Sequence, residues 1–306
     1  MSDDMRTEDT AEIPFPAPPS RPLWPETGSA RVQIDLAALS HPGLVREHNE
    51  DHFLAVRVGR WLETLLTNLP ADQLPTRAEE VGYGLVIADG VGGAAGGEVA
   101  SRTAIRTLIS HVLHTPDWIF SNEGPEWSQM MQRMADRFRR IDATLYEQGH
   151  RDPNLWGMGT TMTLTCSLGS SLIIGHIGDS RAYLFRGSEL HQLTRDHTLV
   201  QALVDAGRLT AEEAAKHPFR HVLTRSLGTG EIRVASEFQQ AWLADDDQLL
   251  LCTDGLTDMV DNATIGSILR GAATSDEACH TLVATALANG GKDNVTVALA
   301  RYRFPQ

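Results

Sequence analysis

Cysteine is scarce, with three in 306 residues: Cys166, Cys252 and Cys279. They are odd in number and widely spaced, they form no zinc pattern, and two lie in apolar runs. They read as reduced core residues of a cytosolic protein. No apolar stretch is long enough to cross a bilayer, and the acidic, proline-rich N-terminus has no apolar core of the kind a signal peptide needs. Positive charge is also short, with 26 Lys and Arg against 40 Asp and Glu and a formal net charge of −14, so no nucleic-acid footprint is expected. Internal repeats and regular βαβ alternation are missing as well. These absences point to a soluble, cytoplasmic protein with no membrane segment and no nucleic-acid partner; a monomer is the expectation, although the sequence does not give the oligomeric state.

The length allows one large domain or two small ones. Residues 1–29 carry six of the fourteen prolines and six acidic residues; such a segment cannot bury enough surface to offset its ordering entropy. The expectation is a disordered acidic tail over 1–30, with partner docking as its second reading, and a folded domain over 31–306. Val32, Ile34 and Leu36 alternate as in a half-buried strand, and Phe53–Val56 forms another strand-like piece. Within 57–80, Trp61, Leu62, Leu65, Leu66 and Leu69 fall at helical spacing before Pro70, which predicts a short amphipathic helix in an insertion. Val99, Ile105, Leu108, Ile109, Val112 and Leu113 trace one helix face, and Trp127, Met130, Met134, Phe138, Ile141 and Leu145 trace a second. Strands are expected at 161–168, 171–178 and 181–186 as an antiparallel meander, then at 234–243, 248–253 and 294–303. Thr210 with Glu213, and Thr274 with Glu277, fit capping boxes that open helices. Strand meanders interleaved with helix pairs argue for an α+β fold, a sheet sandwich between helices.

The chain is organised around residues 81–100. Leu85, Val86, Ile87 and Ala88 form an apolar run that ends at Asp89. A turn containing Gly90, Gly92, Gly93, Gly96 and Gly97 follows, and a helical pattern opens at Glu98. This reads as a buried strand that pushes one carboxylate into a tight turn, with glycine where backbone must come close to something. A connector with a solvated aspartate is the competing reading. The shape recurs, however: apolar runs end at Asp179 and at Asp254, and Asp293 stands just before the run Val295–Leu299. Four isolated carboxylates at strand ends suggest one shared metal site.

The blocks Arg46…Asn49-Glu50-Asp51, Ala88-Asp89-Gly90-x-Gly92-Gly93, Gly157-Met158-Gly159-Thr160-Thr161 and Gly178-Asp179-Ser180-Arg181-Ala182-Tyr183 resemble the PPM family of metal-dependent, type 2C serine/threonine protein phosphatases. The resemblance continues through Leu193-Thr194-Arg195-Asp196-His197, Leu223–Gly228, Thr253-Asp254-Gly255-Leu256 and Gly291-Lys292-Asp293-Asn294-Val295-Thr296. It is most similar in detail to the bacterial branch that opposes serine/threonine kinases. It implies a four-layer α-β-β-α sandwich with two central antiparallel sheets and a catalytic domain spanning 31–306, with an insertion near 57–80 and a flap near 195–225. It also implies two Mn²⁺ or Mg²⁺ ions and a third at a weaker site. By position, Asp89 matches the bridging ligand, joined by the Gly90 carbonyl, while Asp254 and Asp293 match the remaining ligands of the pair. Glu50 and Asp51 match residues that hold metal-bound waters, Asp179 matches a ligand of the third ion, and Arg46 matches the phosphate-gripping guanidinium.

The implied activity is hydrolysis of phosphoserine and phosphothreonine in proteins by a water or hydroxide bridging the two ions. Arg46, Asp89 and Asp254 would be the catalytic residues. An all-oxygen donor set suits Mg²⁺ or Mn²⁺, and no Cys-x5-Arg loop is present for a cysteine nucleophile. The alternatives are a regulatory phosphoprotein-binding module on the same fold and a hydrolase of small phosphate esters. One departure concerns the leaving group: the eukaryotic branch has a histidine after the Asp-Gly pair, where this chain has Val91. The general acid is therefore unassigned: His48 lies nearby but reads as structural, and a metal-bound water is the other candidate.

Overall fold

Strands buried on both faces are apolar at every position, and strands with one wet face alternate; both kinds occur here. In a computed structural model, residues 32–70, 73–92, 96–114, 125–230 and 237–304 are described, the side chains of 125–128 excepted. The tail expected at 1–30, Gly93 and the side chain of Trp127 lie outside them. The chain runs β1 (Gln33–His41), β2 (Asp51–Glu63), β3 (Arg77–Val91), α1 (Gly96–His114), α2 (Pro125–Arg151), β4 (Gly159–Thr160), β5 (Met162–Leu168), β6 (Ser171–Ile177) and β7 (Arg181–Arg186). It continues through β8 (Glu189–Gln192), α3 (Leu199–Asp205), α4 (Ala211–Ala215), β9 (Glu237–Trp242), β10 (Gln248–Cys252), α5 (Asp254–Thr257), α6 (Asn262–Gly271), α7 (Ser275–Ala288) and β11 (Val295–Arg303).

Two antiparallel sheets result, ordered β1-β11-β10-β7-β8 and β2-β3-β5-β6-β9, with β4 pairing to β3. Side-chain alternation sorts the apolar residues into three cores. On β10, Leu249 and Leu251 meet Leu85 and Ile87 of β3 between the sheets, while Leu250 and Cys252 pack on Leu256, Ile265 and Leu282 of α5–α7. On β3, Val86 and Ala88 turn outward to Ala104, Leu108, Phe138 and Ile141 of α1 and α2. The four-layer α-β-β-α sandwich expected above is what forms. Among the described residues, no helix is long and apolar enough to cross a membrane.

Register brings one edge of the sandwich together. Asp51 at the start of β2 pairs with Asp89 near the end of β3, while Cys252 pairs with Val297 and His41 with Val295. Asp89, Asp179, Asp254 and Asp293 therefore all emerge at that edge. Backbone approaches there are close: a Cβ on Gly90 would sit 2.1 Å from the Gly97 carbonyl oxygen, and one on Gly255 would sit 1.9 Å from that of Asn294.

The structure corrects several expectations. Among the described residues of 57–80 there is no helix; β2 and β3 extend as a long hairpin, paired from Asp51↔Asp89 out to Glu63↔Arg77. Ladder hydrogen bonds hold 57–63 against 77–83, and among the described residues no core covers the hairpin end, so Leu65 and Leu66 are 81% and 95% exposed. The meander is broken: β5 and β6 pair, but β7 crosses to the other sheet beside β10. Strand β3 runs past Asp89 to Val91, because Gly90 and Val91 pair with β4, and α1 opens at Gly96 rather than Glu98. The flap region contains two short helices, α3 and α4. Thr210 and Glu213 form a complete capping box, whereas Glu277 turns back to the Ala273 amide instead of the cap residue's own.

Leu251→Ala, deleting a wholly buried side chain between the sheets, should cost about 2–5 kcal/mol. Leu66→Ala at the hairpin tip should change stability by less than ~0.5 kcal/mol. Urea denaturation of both variants checks this; equal losses would mean that the tip is part of a core.

Candidate metal centre

Carboxylates repel, so gathering them requires a scaffold that fixes their backbones. Asp89 is clamped by the threonines of the Gly-Met-Gly-Thr-Thr block. Its N–H donates to Thr161 Oγ1 (3.1 Å), and its carbonyl accepts from Thr160 Oγ1 (2.7 Å) and from the Thr161 amide (2.9 Å). Asp51 is buried, and its Oδ2 accepts from Thr253 Oγ1 at 2.8 Å. Thr253 in turn accepts from the Thr296 amide (3.0 Å), and Thr296 meets Ser40 (2.7 Å), which accepts from Asn49 Nδ2 (2.8 Å). Asn294 uses its whole amide: Nδ2 donates to the Pro42 and His48 carbonyls at 2.8 and 2.9 Å, and Oδ1 accepts from the Glu50 amide at 2.8 Å. That pins the loop carrying Arg46 and Glu50 against the start of β11.

The third carboxylate, Asp179, follows Gly178, whose amide donates to His197 Nδ1 (3.1 Å). The Gly178 carbonyl accepts from the His197 amide (2.7 Å). Arg181 locks the flap's first residues with a forked ion pair to Asp196, at 2.9 Å from Nε and 2.6 Å from Nη2. The arginine of this block is therefore structural, while its aspartate faces the site.

Electrostatics show what this gathering costs. Burial first, then repulsion from Asp51, Asp254, Asp179 and Asp293, pushes the Asp89 carboxyl well above the ordinary range. Burial likewise raises Asp51 to about 7 and, with Asp254 nearby, Asp179 to about 8. Burial also raises Glu50. Asp51 Oδ1 is buried without a hydrogen-bond partner. A divalent cation answers both problems, neutralising the charge and giving the orphaned oxygen a partner. As the side chains stand, no three Asp, Glu, His or Cys residues among those described converge tightly enough to hold an ion. The reason is visible in their partners: Asp293 is drawn to Arg46 Nη2 at 2.7 Å, Asp51 to Thr253, and Asp254 to His221.

Sequence reasoning left His221 unassigned. Its Nδ1 lies 3.3 Å from Asp254 Oδ2 and its Nε2 3.2 Å from Asp258 Oδ2, and hydrogen bonding to Asp254 and then Asp258 raises it to about 10. Arg220 joins Asp258 at 3.4 Å. The flap thus closes over the carboxylates, and a cavity of about 530 Å³ lies between them, lined in part by Asp179, Asp196, Arg220, His221 and Asp254. Nothing in the sequence marks this contact, because His221 and Asp254 are far apart in the chain. His48, by contrast, is exposed and offers its carbonyl to Asn294. A second cavity of about 260 Å³, between the outer sheet face and α1 and α2, is apolar. Its one candidate nucleophile, Cys166, has a thiol that burial pushes up to about 12.

Residues 87–295 match the protein phosphatase 2C family. The chain is 37% identical over 273 residues to the serine/threonine protein phosphatase PstP of Mycobacterium tuberculosis, covering 89% of this chain and 46% of that protein. It therefore spans about half the length of that relative. It is 33% identical to the serine/threonine phosphatase stp of Listeria innocua, covering 86% of this chain and 94% of the relative. A crystal structure of the PstP catalytic domain with two manganese ions superposes with a TM-score of 0.69 at 34% identity, over 89% of this chain and 99% of that one.

Asp51 and Asp179 have folded-state pKa values above their ordinary ones, so the folded state binds more protons up to about pH 8, and stability is lost as pH rises through that window. His221, raised to about 10, acts in the same direction. His176, held near 3 by burial, opposes them only below its ordinary value. In chelator, stability should fall by on the order of 1–2 kcal/mol between about pH 6.5 and 8, and Mn²⁺ should abolish the fall. Thermal melts at both pH values test this; a rise in chelator would mean that the carboxylates are not packed together.

Proposed function

The chain belongs to the protein phosphatase 2C family, and on that premise we propose that it is a metal-dependent protein serine/threonine phosphatase. The observation carrying this reading is the packing of Asp51, Asp89 and Asp179 with Asp254 and Asp293 at one edge of the sandwich, with Asp51 Oδ1 buried and unpartnered. Asp89, the Gly90 carbonyl, Asp254 and Asp293 would hold two divalent ions, and Asp179 a third. Glu50 and Asp51 would orient water around them. The all-oxygen donor set favours Mn²⁺ or Mg²⁺. Such ions supply neutralisation of the phosphoryl oxygens and a water that loses its proton near neutral pH.

The remaining work falls to the chain itself. Arg46 is 55% exposed and engages Asp293 through Nη2; with Asp293 turned to an ion, its planar fork would take two phosphate oxygens and set the ester bond in line for attack. Thr253, Thr296, Ser40 and Asn49 hold Asp51 in one orientation, and Thr160 and Thr161 hold Asp89. Residues 195–225 would act as the flap, walling the cavity where a phosphopeptide would lie, and 31–306 as the catalytic domain. The substrates would be phosphoserine and phosphothreonine proteins produced by a serine/threonine kinase.

Phosphate release from a phosphothreonine peptide should require Mn²⁺ or Mg²⁺, stop with EDTA, and drop by orders of magnitude in Asp254→Ala. A wild-type chain that binds the peptide without releasing phosphate under any metal would instead favour a regulatory binding module. Shortening the flap between 205 and 215 should alter discrimination among phosphopeptides more than hydrolysis of a small aryl phosphate. Equal losses on both substrates would remove the flap from substrate selection.

A further inference from the structure

The flap is anchored at a histidine to which the reaction gives no part. His197 is 5% exposed and clasps the residue before Asp179 on both sides: its amide donates to the Gly178 carbonyl (2.7 Å), and its ring Nδ1 accepts from the Gly178 amide (3.1 Å). Gly178 has φ +110°, and a Cβ there would collide with the Thr161 side chain, so the position needs glycine. On the far side of Asp179, Ser180 Oγ meets Thr161 Oγ1 (2.9 Å), and the Ser180 carbonyl accepts from Thr163 Oγ1 (3.0 Å). Asp179 therefore stands between two pinned residues, and His197 pins the first. The Thr224 amide donates to the His197 carbonyl (2.8 Å), so both ends of the flap meet at this histidine.

A ring nitrogen that accepts from a backbone N–H must be bare, so the proton of His197 belongs on Nε2. Two groups compete over that nitrogen. Glu237 at the start of β9 places Oε1 3.1 Å from Nε2; as a carboxylate it only accepts, which keeps the proton there. Arg225 places Nη1 3.2 Å from the same Nε2 and only donates, which would drive the proton to Nδ1 and set it against the Gly178 amide. Burial holds the ring below its ordinary pKa and so favours the neutral form, in which one nitrogen is bare. His176, itself buried, is held by Thr163 Oγ1 (2.9 Å) and the Arg195 carbonyl (3.0 Å) and stacks on His197 with ring centroids 4.8 Å apart. That stack keeps the His197 ring between its two partners.

We propose that Glu237 and His197 form a positioning pair for the candidate metal centre: Glu237 keeps the His197 proton on Nε2, and the bare Nδ1 fixes the Gly178 peptide and with it the direction in which Asp179 enters the site. The inference rests on the reading of Asp179 as the ligand of a third, weaker ion. Both residues act through Gly178, and neither is a ligand itself; outer partners of this kind orient ligands and so set metal affinity. Removing the Glu237 carboxylate leaves Arg225 facing Nε2, the proton moves to Nδ1, and the Gly178 amide meets a donor where it had an acceptor. The effect falls on Asp179, because Asp89, Asp254 and Asp293 are carried on other segments. Glutamine at 237 still offers an amide oxygen to Nε2 and preserves the arrangement.

The test uses the full chain, with nitrogen NMR of isotope-labelled histidine rings in chelator and Mn²⁺ titrations followed by electron paramagnetic resonance. The His197 ring, assigned by its absence from His197→Asn, should show Nδ1 bare and Nε2 protonated in the wild type and in Glu237→Gln, and the reverse in Glu237→Ala. In the titrations, Asp179→Ala marks the weaker Mn²⁺ site. Affinity there should fall at least tenfold in Glu237→Ala and stay within threefold of wild type in Glu237→Gln, with the tighter pair of sites changed less than twofold in both. Glu237 is 43% exposed, so its truncation should leave the fold intact; a thermal melt checks this, and the wild-type ring state decides whatever the melt shows. The proposal is overturned by a proton on Nδ1 in the wild type, or by an unchanged tautomer or weaker site in Glu237→Ala. Equal weakening of every site, or a wild type with no site that Asp179→Ala removes, also overturns it. A chain that meets each expectation yet releases no phosphate from a phosphothreonine peptide would refute the phosphatase reading and leave the pair standing.

Discussion

Mutual repulsion among buried carboxylates is the constraint that the rest of this structure answers. Asp51, Asp89 and Asp179 are each pushed up by burial and by neighbouring acids, and no arrangement of the surrounding side chains cancels that charge. At the periphery Arg46 reaches Asp293, and His221 reaches Asp254 and Asp258; neither forms an ion pair with Asp51, Asp89 or Asp179. A fold that keeps such a cluster must fix it from outside and leave it to be neutralised from solution. That is the requirement of a metal centre, in which ligand geometry comes first and charge balance arrives with the ion.

Fixing from outside explains much that surrounds the site. The hydroxyl chain Asn49, Ser40, Thr296, Thr253 and Asp51 ties the two sheets together at their shared edge. Thr160 and Thr161 bind the Asp89 backbone from β4 and the start of β5. Glycine stands where two backbones meet, at Gly90 against Gly97 and at Gly255 against Asn294. At Gly97 a side chain would instead collide with the Glu50 carboxylate, 2.6 Å from its Cδ. The same edge sets limits on the flap, which enters through Arg181–Asp196 and His197–Gly178 and returns through His221 to Asp254.

The hairpin end stands apart from this economy of contacts. Its strands obey the same ladder as the rest of the sheet, but past Arg60 the ladder outruns the core, and the leucines that would face helices elsewhere face solvent. The exposed leucines of the hairpin end lie apart from the carboxylate edge and take no part in fixing it.

The sequence by itself determined that the apolar runs would be buried strands and that isolated carboxylates would stand at their ends. Apolar runs ending in Asp89, Asp179 and Asp254 are local facts, and a strand that is apolar on both faces has little choice but to lie between a sheet and a helix layer. It also determined family membership, because ordered short blocks survive where their spacing does not matter. Tertiary structure alone decided the rest. The leucines at 62–69 carry a helical spacing that no packed layer rewards, and pairing of 57–63 with 77–83 makes the segment a hairpin instead. The crossing of β7 to the second sheet and the meeting of His221 with Asp254 depend on chain paths through space, which no local pattern encodes. The roles of Thr160, Thr253 and Asn294 lie in hydrogen bonds to distant backbone, and those partners exist only once the two sheets have closed.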